Sequence, residues 1–130
     1  MAGYSGTPLP RKLGIKDGHH VAILDGPKGF DLGVPAQRGL AGKPPLDVIL
    51  AFFTERAAFA SALPRLRARM AQNAGLWIAW PKKASKVPTD MTEDVVREVA
   101  LPTGLVDNKV CAIDDTWSGL RLVIRVEHRI

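Results

Sequence analysis

The sequence is poor in the residues that close a fold covalently or anchor it in a membrane. It has one cysteine, Cys111, so no internal disulfide can form, and a lone thiol fits a reducing cytoplasm. The three histidines beside it give no zinc-ligand spacing. No apolar run approaches the roughly 20 residues of a bilayer-crossing helix, so no membrane association is expected. The first residues, Met1-Ala2-Gly3-Tyr4-Ser5-Gly6, have neither a basic start nor an apolar stretch, which argues against a secretion signal. Acid is scarcer than base, with 13 Asp and Glu against 18 Lys and Arg, a net charge of +5 and a pI near 9.7. That balance favours acidic or phosphorylated partners, nucleic acid included, or serves solubility alone, since the charges are spread along the chain. Aromatics make up only 6% of residues, and only Trp80 and Trp117 are placed as platforms for a nucleic-acid base.

What is present is material for a core. A chain of 130 residues, 46% hydrophobic and 24% charged, has the composition of one packed domain, with residues 1–7 as a small, polar, flexible arm. Residues 8–13 read as a short helix capped by Thr7 and ended by Gly14. Residues 20–24 (HVAIL) form a continuous apolar strand, broken by Asp25-Gly26-Pro27-Lys28-Gly29. Phe30-Asp31-Leu32 has room for one helical turn, and residues 35–40 for a short edge strand. Residues 47–53 (DVILAFF) are apolar after Asp47, as a strand covered on both faces requires. Thr54 then reads as the cap of a helix with Phe59, Leu63, Leu66 and Met70 on one stripe, kinked or broken near Ser61 by Pro64, and ended by residues 73–75. Arg65, Arg67 and Arg69 lie on its other face. A strand at 76–80 (LWIAW) leads to the lysine-rich stretch WPKKASKVPTD. Asp90 and Glu93 resemble a capping box for a helix with Val95, Val96 and Val99 inward, stopped by Pro102-Thr103-Gly104. Residues 105–113 and 120–126 form a hairpin.

Strands separated by helices imply parallel crossovers: a mostly parallel, Rossmann-like α/β sheet with helices on both faces and a C-terminal antiparallel hairpin. The strands at 20–24, 47–53, 76–80 and 105–113 share one direction and the last opposes them. The last strand and the short one at 35–40 are read as exposed edges, open to pairing in a homodimer. The C-terminal ends of the parallel strands then open on one edge, where open α/β sheets bind ligands. That edge collects the ligand-binding candidates: Asp25, Gly26, Lys28 and Gly29 after the first strand, Trp80, Lys82, Lys83 and Lys86 after the third long one, and Asp114, Asp115, Trp117 and Ser118 at the hairpin tip. The lysines precede a helix N-terminus and suit an anion, or form a solvated loop. Asp114 and Asp115 are too few for a metal site and suit a polar turn or ion pairs to Lys82 and Lys83. Trp77 and Trp80, three apart on a strand, face opposite sides, with Trp80 the better ligand platform. Tyr4 and Ser5 are placed to fold over the edge. Cys111 reads as a buried small hydrophobe. No nucleophile–base–acid triad is discernible, and no catalytic residue or metal ligand is assigned.

The helix followed by a strand hairpin with an antiparallel last strand resembles the C-terminal half of the S-adenosylmethionine-dependent methyltransferase fold, over roughly residues 8–127, in shortened form. In those enzymes a glycine-rich loop follows the first strand and an acid ends the second. Here the loop is only GxxG, and the second strand ends near Arg38-Gly39-Leu40 without an acid. No cofactor is therefore expected, S-adenosylmethionine included. The segments GYSGTPL, LWIAWPKKAS, PTDMTEDVVRE, GLVDNKVCAIDDTWSGL and RLVIR resemble domain-of-unknown-function family 3052. That resemblance implies a small cytoplasmic bacterial protein and carries over no catalytic residue. The expectation from sequence is a non-catalytic binding module whose C-terminal edge takes a small anionic ligand or a protein. A diverged methyltransferase-like enzyme and a nucleic-acid binder using Arg65, Arg67, Arg69 and the loop lysines are the alternatives.

Overall fold

The computed structural model describes residues 6–130, so residues 1–5 of the expected arm at 1–7, Tyr4 and Ser5 with them, lie outside the described residues. Among the described residues, six strands form one sheet: β1 (Val21–Leu24), β2 (Gln37–Arg38), β3 (Leu46–Phe52), β4 (Met70–Pro81), β5 (Leu105–Ala112) and β6 (Trp117–Ile124). Their order is β2-β1-β3-β4-β6-β5, with β2, β1, β3 and β4 parallel and β6 antiparallel to both neighbours. The expected strand directions are all observed. The edges differ from expectation at one side: β6 is interior, inserted between β4 and β5, and β5 is the edge strand. The reason is apolar: Leu120, Leu122, Val123 and Ile124 of β6 are buried, whereas Asn108, Lys109 and Val110 of β5 face solvent.

Helices α2 (Arg56–Arg69) and α3 (Glu93–Ala100) cover one face, packing Phe59, Leu63, Leu66 and Val96 against Ile49, Leu76, Ile78 and Leu122. The opposite face is covered more thinly. Its short helix α1 (Leu9–Lys12) and the strap over residues 25–36 bring Leu13, Phe30, Leu32 and Val34 onto Val21, Leu50 and Trp77. The strap forms no helical turn at Phe30, because prolines and glycines at both ends of it break any helical run. Trp77 and Trp80 do fall on opposite faces. Trp77 is fully buried, and its Nε1–H donates to the Leu13 carbonyl at 3.1 Å, tying the N-terminal segment to the sheet.

Several local expectations are corrected by contacts distant in sequence. Pro8, not Thr7, precedes α1, and no side chain caps it. Neither Thr54 nor Glu55 caps α2. Asp90 does so from another loop, its Oδ1 accepting from Arg56 N–H at 2.6 Å, while Thr89 Oγ1 donates to the Thr54 carbonyl at 2.5 Å. Asp90 is thus withdrawn from the expected capping box, and Thr92 caps α3 through Val95 N–H at 3.1 Å. Pro64 does not break α2: it and Ala60, whose carbonyl it leaves unbonded, are on the solvent side, so water can satisfy that acceptor. Residues 73–75 form no turn. α2 passes into β4 at Met70, and the register slips from Leu46↔Met70 to Val48↔Gly75, so the extra residues are absorbed as a bulge.

Candidate functional site

The chain leaves β1 for β2 on one side and returns to β3 on the other side of β1, so strand order reverses between β1 and β3. The C-terminal edge at this reversal is where open α/β sheets leave a crevice. Asp25, exposed, takes a left-handed backbone with φ +56° as β1 ends. Phe30 N–H closes a turn onto the Pro27 carbonyl at 3.0 Å, and Gly29, with φ +81° and open space where a Cβ would stand, is the turn's third residue. Lys28 is exposed on the same turn, and Gly26 packs inward, where a Cβ would fall 3.0 Å from Ile23 Cγ2. The turn sends Phe30 back under the edge, edge-on to Phe52 with ring centres 5.0 Å apart, and Phe52 meets Trp117 at 5.0 Å and 88°. This row of rings, unmarked in the sequence because only strand register aligns it, joins the β1 loop to the hairpin tip.

The rest of the edge is held together by backbone and turn bonds. Asp114 Oδ1 accepts from Thr116 N–H at 2.8 Å and Trp117 N–H at 2.9 Å, so this carboxylate shapes the hairpin turn. Lys82 N–H donates to the Thr116 carbonyl at 2.7 Å, which brings the lysine stretch and the hairpin tip together. Residues Lys83–Ser85 make one 3-10 turn closed by Lys86 at φ +60°. Among the described residues, no ion pair joins Lys82, Lys83 or Lys86 to Asp114 or Asp115. Asp115 is exposed, and Ser118 lies within β6 opposite Trp80. Trp80 is only 7% exposed and packs in the core beneath α2 and α3, so its ring is not offered to a ligand. The first turn of α3 is acidic. Glu93, Asp94 and Asp107 all bind Arg97, and Glu93 and then Asp107 raise the proton affinity of that guanidinium further. An anion drawn by the lysines therefore has no vacant helix terminus to enter there.

Cys111 is half-buried, and burial raises its thiol pKa, partly opposed by Lys12 and Lys109. Among the described residues, no group of three or more His, Cys, Asp or Glu side chains converges as a metal site would require. No helix among them is long and apolar enough to cross a membrane.

A six-stranded sheet in this order, with its interior strand reversed beside a hairpin, is the class I methyltransferase-like fold. Solved structures bear this out. A SAM-dependent methyltransferase from Aquifex aeolicus is similar with a TM-score of 0.55 at 16% identity, over 88% of this chain and 87% of that one. A putative type 11 methyltransferase from Sulfolobus solfataricus gives 0.55 at 14% identity, over 100% and 97%. The magnesium protoporphyrin IX methyltransferase of Synechocystis, solved with bound SAH, gives 0.50 at 10% identity, over 68% of this chain and 51% of its own, so this chain spans about half of that enzyme. No protein-family model and no curated protein matches the sequence. These neighbours overturn the expectation of no cofactor, drawn from the GxxG loop and the acid-free end of β2. Of these neighbours, the Aquifex protein is SAM-dependent and the Synechocystis enzyme holds SAH.

Proposed function

We propose that the protein is methyltransferase-like and takes a SAM-type ligand at the C-terminal edge, over the β1 loop. The observation that carries this reading is the reversal of strand order between β1 and β3 in a sheet of methyltransferase order, the point at which open α/β sheets take their ligands and at which the loop Asp25 to Gly29 stands. The loop suits the ligand in two respects. Its exposed Asp25 carboxylate complements the ammonium group that SAM and SAH share, and the open space at Gly29 lets a ligand approach the backbone. The end of β2 supplies Arg38 where the fold's enzymes carry an acid, so the ribose must find its partner elsewhere. A SAM-type ligand would bring an electrophilic methyl group. We propose binding of that ligand and assign no transfer step. Kinship with domain-of-unknown-function family 3052 rests on the resemblance of the five segments alone, with no family model matching the sequence.

Thermal unfolding with added SAH tests the reading. Ligand that binds only the folded state adds about 2.7 kcal/mol at a hundredfold excess over Kd, so the transition should move upward in wild type and less in Asp25→Asn. A midpoint that ignores SAH at millimolar concentration removes the proposal.

A further inference from the structure

On the α1 face, toward the opposite edge of the sheet, Arg121 of β6 lies in one cross-strand row with Trp77 and Lys109. It is laid against Gly75: a Cβ there would fall 2.6 Å from Nε and 3.1 Å from Cζ and Nη2, so glycine is what admits the guanidinium to the strand. Its hydrogen-bond partner is a neutral amide, Asn108 Oδ1, at 3.3 Å. No carboxylate forms an ion pair with it among the described residues. Burial, and then the like charge of Arg129, depress its proton affinity. A half-buried cation without a counter-charge is costly to a fold and is relieved by a bound anion.

The guanidinium is the common wall of two adjoining clefts. One, of about 230 Å³, is bounded by Lys12, Gly14, Asn108 and Lys109, and the other, of about 330 Å³, by Lys16, His19, Asp47 and Asn73. Lys12 Nζ donates to the Ala112 carbonyl at 2.8 Å and Lys109 Nζ to the Lys12 carbonyl at 3.0 Å, which fixes two ammonium groups beside the first cleft. The one carboxylate lining the second, Asp47, is engaged by His20, accepting from its backbone N–H at 2.8 Å and standing 3.7 Å from its Nδ1. His19 is likewise oriented, its Nδ1 accepting from Lys16 N–H at 3.1 Å.

We propose that this double cleft binds the phosphate group of a small phosphorylated molecule, anchored on the planar fork of Arg121, with Lys109 and Lys12 completing the charge. A guanidinium fork suits a phosphate in two-point contact, and the ammonium groups add point charges. The site is distinct from the β1 loop, and failure at either leaves the other standing.

Amide NMR shifts of the full chain titrated with inorganic pyrophosphate test it. Gly14, Asn108, Lys109 and Arg121 should shift saturably, and the affinity should fall as salt is added. Arg121→Gln should weaken binding about tenfold or more, the loss expected on removing a charged hydrogen-bonding partner. Gly75→Ala should also weaken it, because the methyl displaces the guanidinium without removing its charge. Arg65→Gln, an exposed charge on α2, should change nothing. Should Arg121→Gln fail to fold, Gly75→Ala and Lys109→Gln carry the test. Absence of saturable shifts at millimolar pyrophosphate, or equal affinity in the Arg121, Gly75 and Lys109 variants, overturns the proposal. So does tighter binding of a short single-stranded oligonucleotide at the same amides, which would make the cleft a nucleic-acid surface.

Discussion

Trp77 shows how much one side chain carries here. It fills the thinly covered face, is fully buried, and donates its indole N–H, the side chain's one polar hydrogen, to the Leu13 carbonyl. Trp77→Phe keeps a ring in the core but leaves that carbonyl without its buried donor, at a cost of about 1–3 kcal/mol. Urea unfolding should show the midpoint moving down with little change in slope, and an unmoved midpoint would mean the bond contributes nothing. Cys111 gives a prediction with a pH sign. Its folded-state pKa is raised, chiefly by burial, so the thiol form is favoured by folding. The corresponding stability is present below the unfolded thiol's pKa and is lost as pH rises through the folded one. Since the thiolate is the nucleophile, alkylation of the native protein by iodoacetamide at mildly alkaline pH should be slower than that of the urea-unfolded chain. Equal rates would count against the burial. The sequence reading of Cys111 as a small hydrophobe anticipated a side chain that is in fact half-buried at the edge of the second core cluster. Arg121, by contrast, looked like any other strand arginine. What distinguishes it is the absent side chain at Gly75 on the neighbouring strand, a relation set by register and invisible to a reading along the chain.

At the scale of elements, periodicity located the long strands and helices because burial on two faces leaves unbroken apolar runs and burial on one leaves a stripe. It failed where a partner distant in sequence does the capping. Thr54 was the natural cap by local rule, yet Asp90 supplies the acceptor to Arg56 N–H from across the C-terminal edge. Asp90→Ala should therefore cost about 1 kcal/mol, within a range of roughly 0.5–2, measured by chemical denaturation. Amide exchange should rise in the first turn of α2 and not of α3, and exposure of the α3 turn instead would restore the capping-box assignment. The same bond explains the lysine stretch. WPKKASKVPTD ends as a clamp between the edge and α2, through Thr89 and Asp90, and among the described residues none of its lysines forms an ion pair with the hairpin carboxylates. By local rule Pro64 calls for a kink or a break because it costs a hydrogen bond, but α2 runs on through it, since the carbonyl left unbonded is on the solvent side.

For the whole molecule, the strand directions and the hairpin were legible, and with them the edge at which a site belongs. Strand order was not: the placement of β6 between β4 and β5 follows from which face of each strand is apolar once the sheet is assembled. The cofactor expectation failed for a related reason. It rested on two local motifs, whereas the neighbours share the strand order, which reverses around β1 and is not written in any one loop. The molecule thus has two ends with different chemistry. One presents the β1 loop, with Asp25 exposed above the ring row Phe30–Phe52–Trp117, and the other presents Arg121 among lysines. The most direct test of the central claim is a calorimetric titration of the protein with SAH. Saturable one-site heat, weakened about tenfold in Asp25→Asn and unchanged in Arg121→Gln, is the predicted result. No heat at millimolar SAH, or heat indifferent to Asp25, would contradict it.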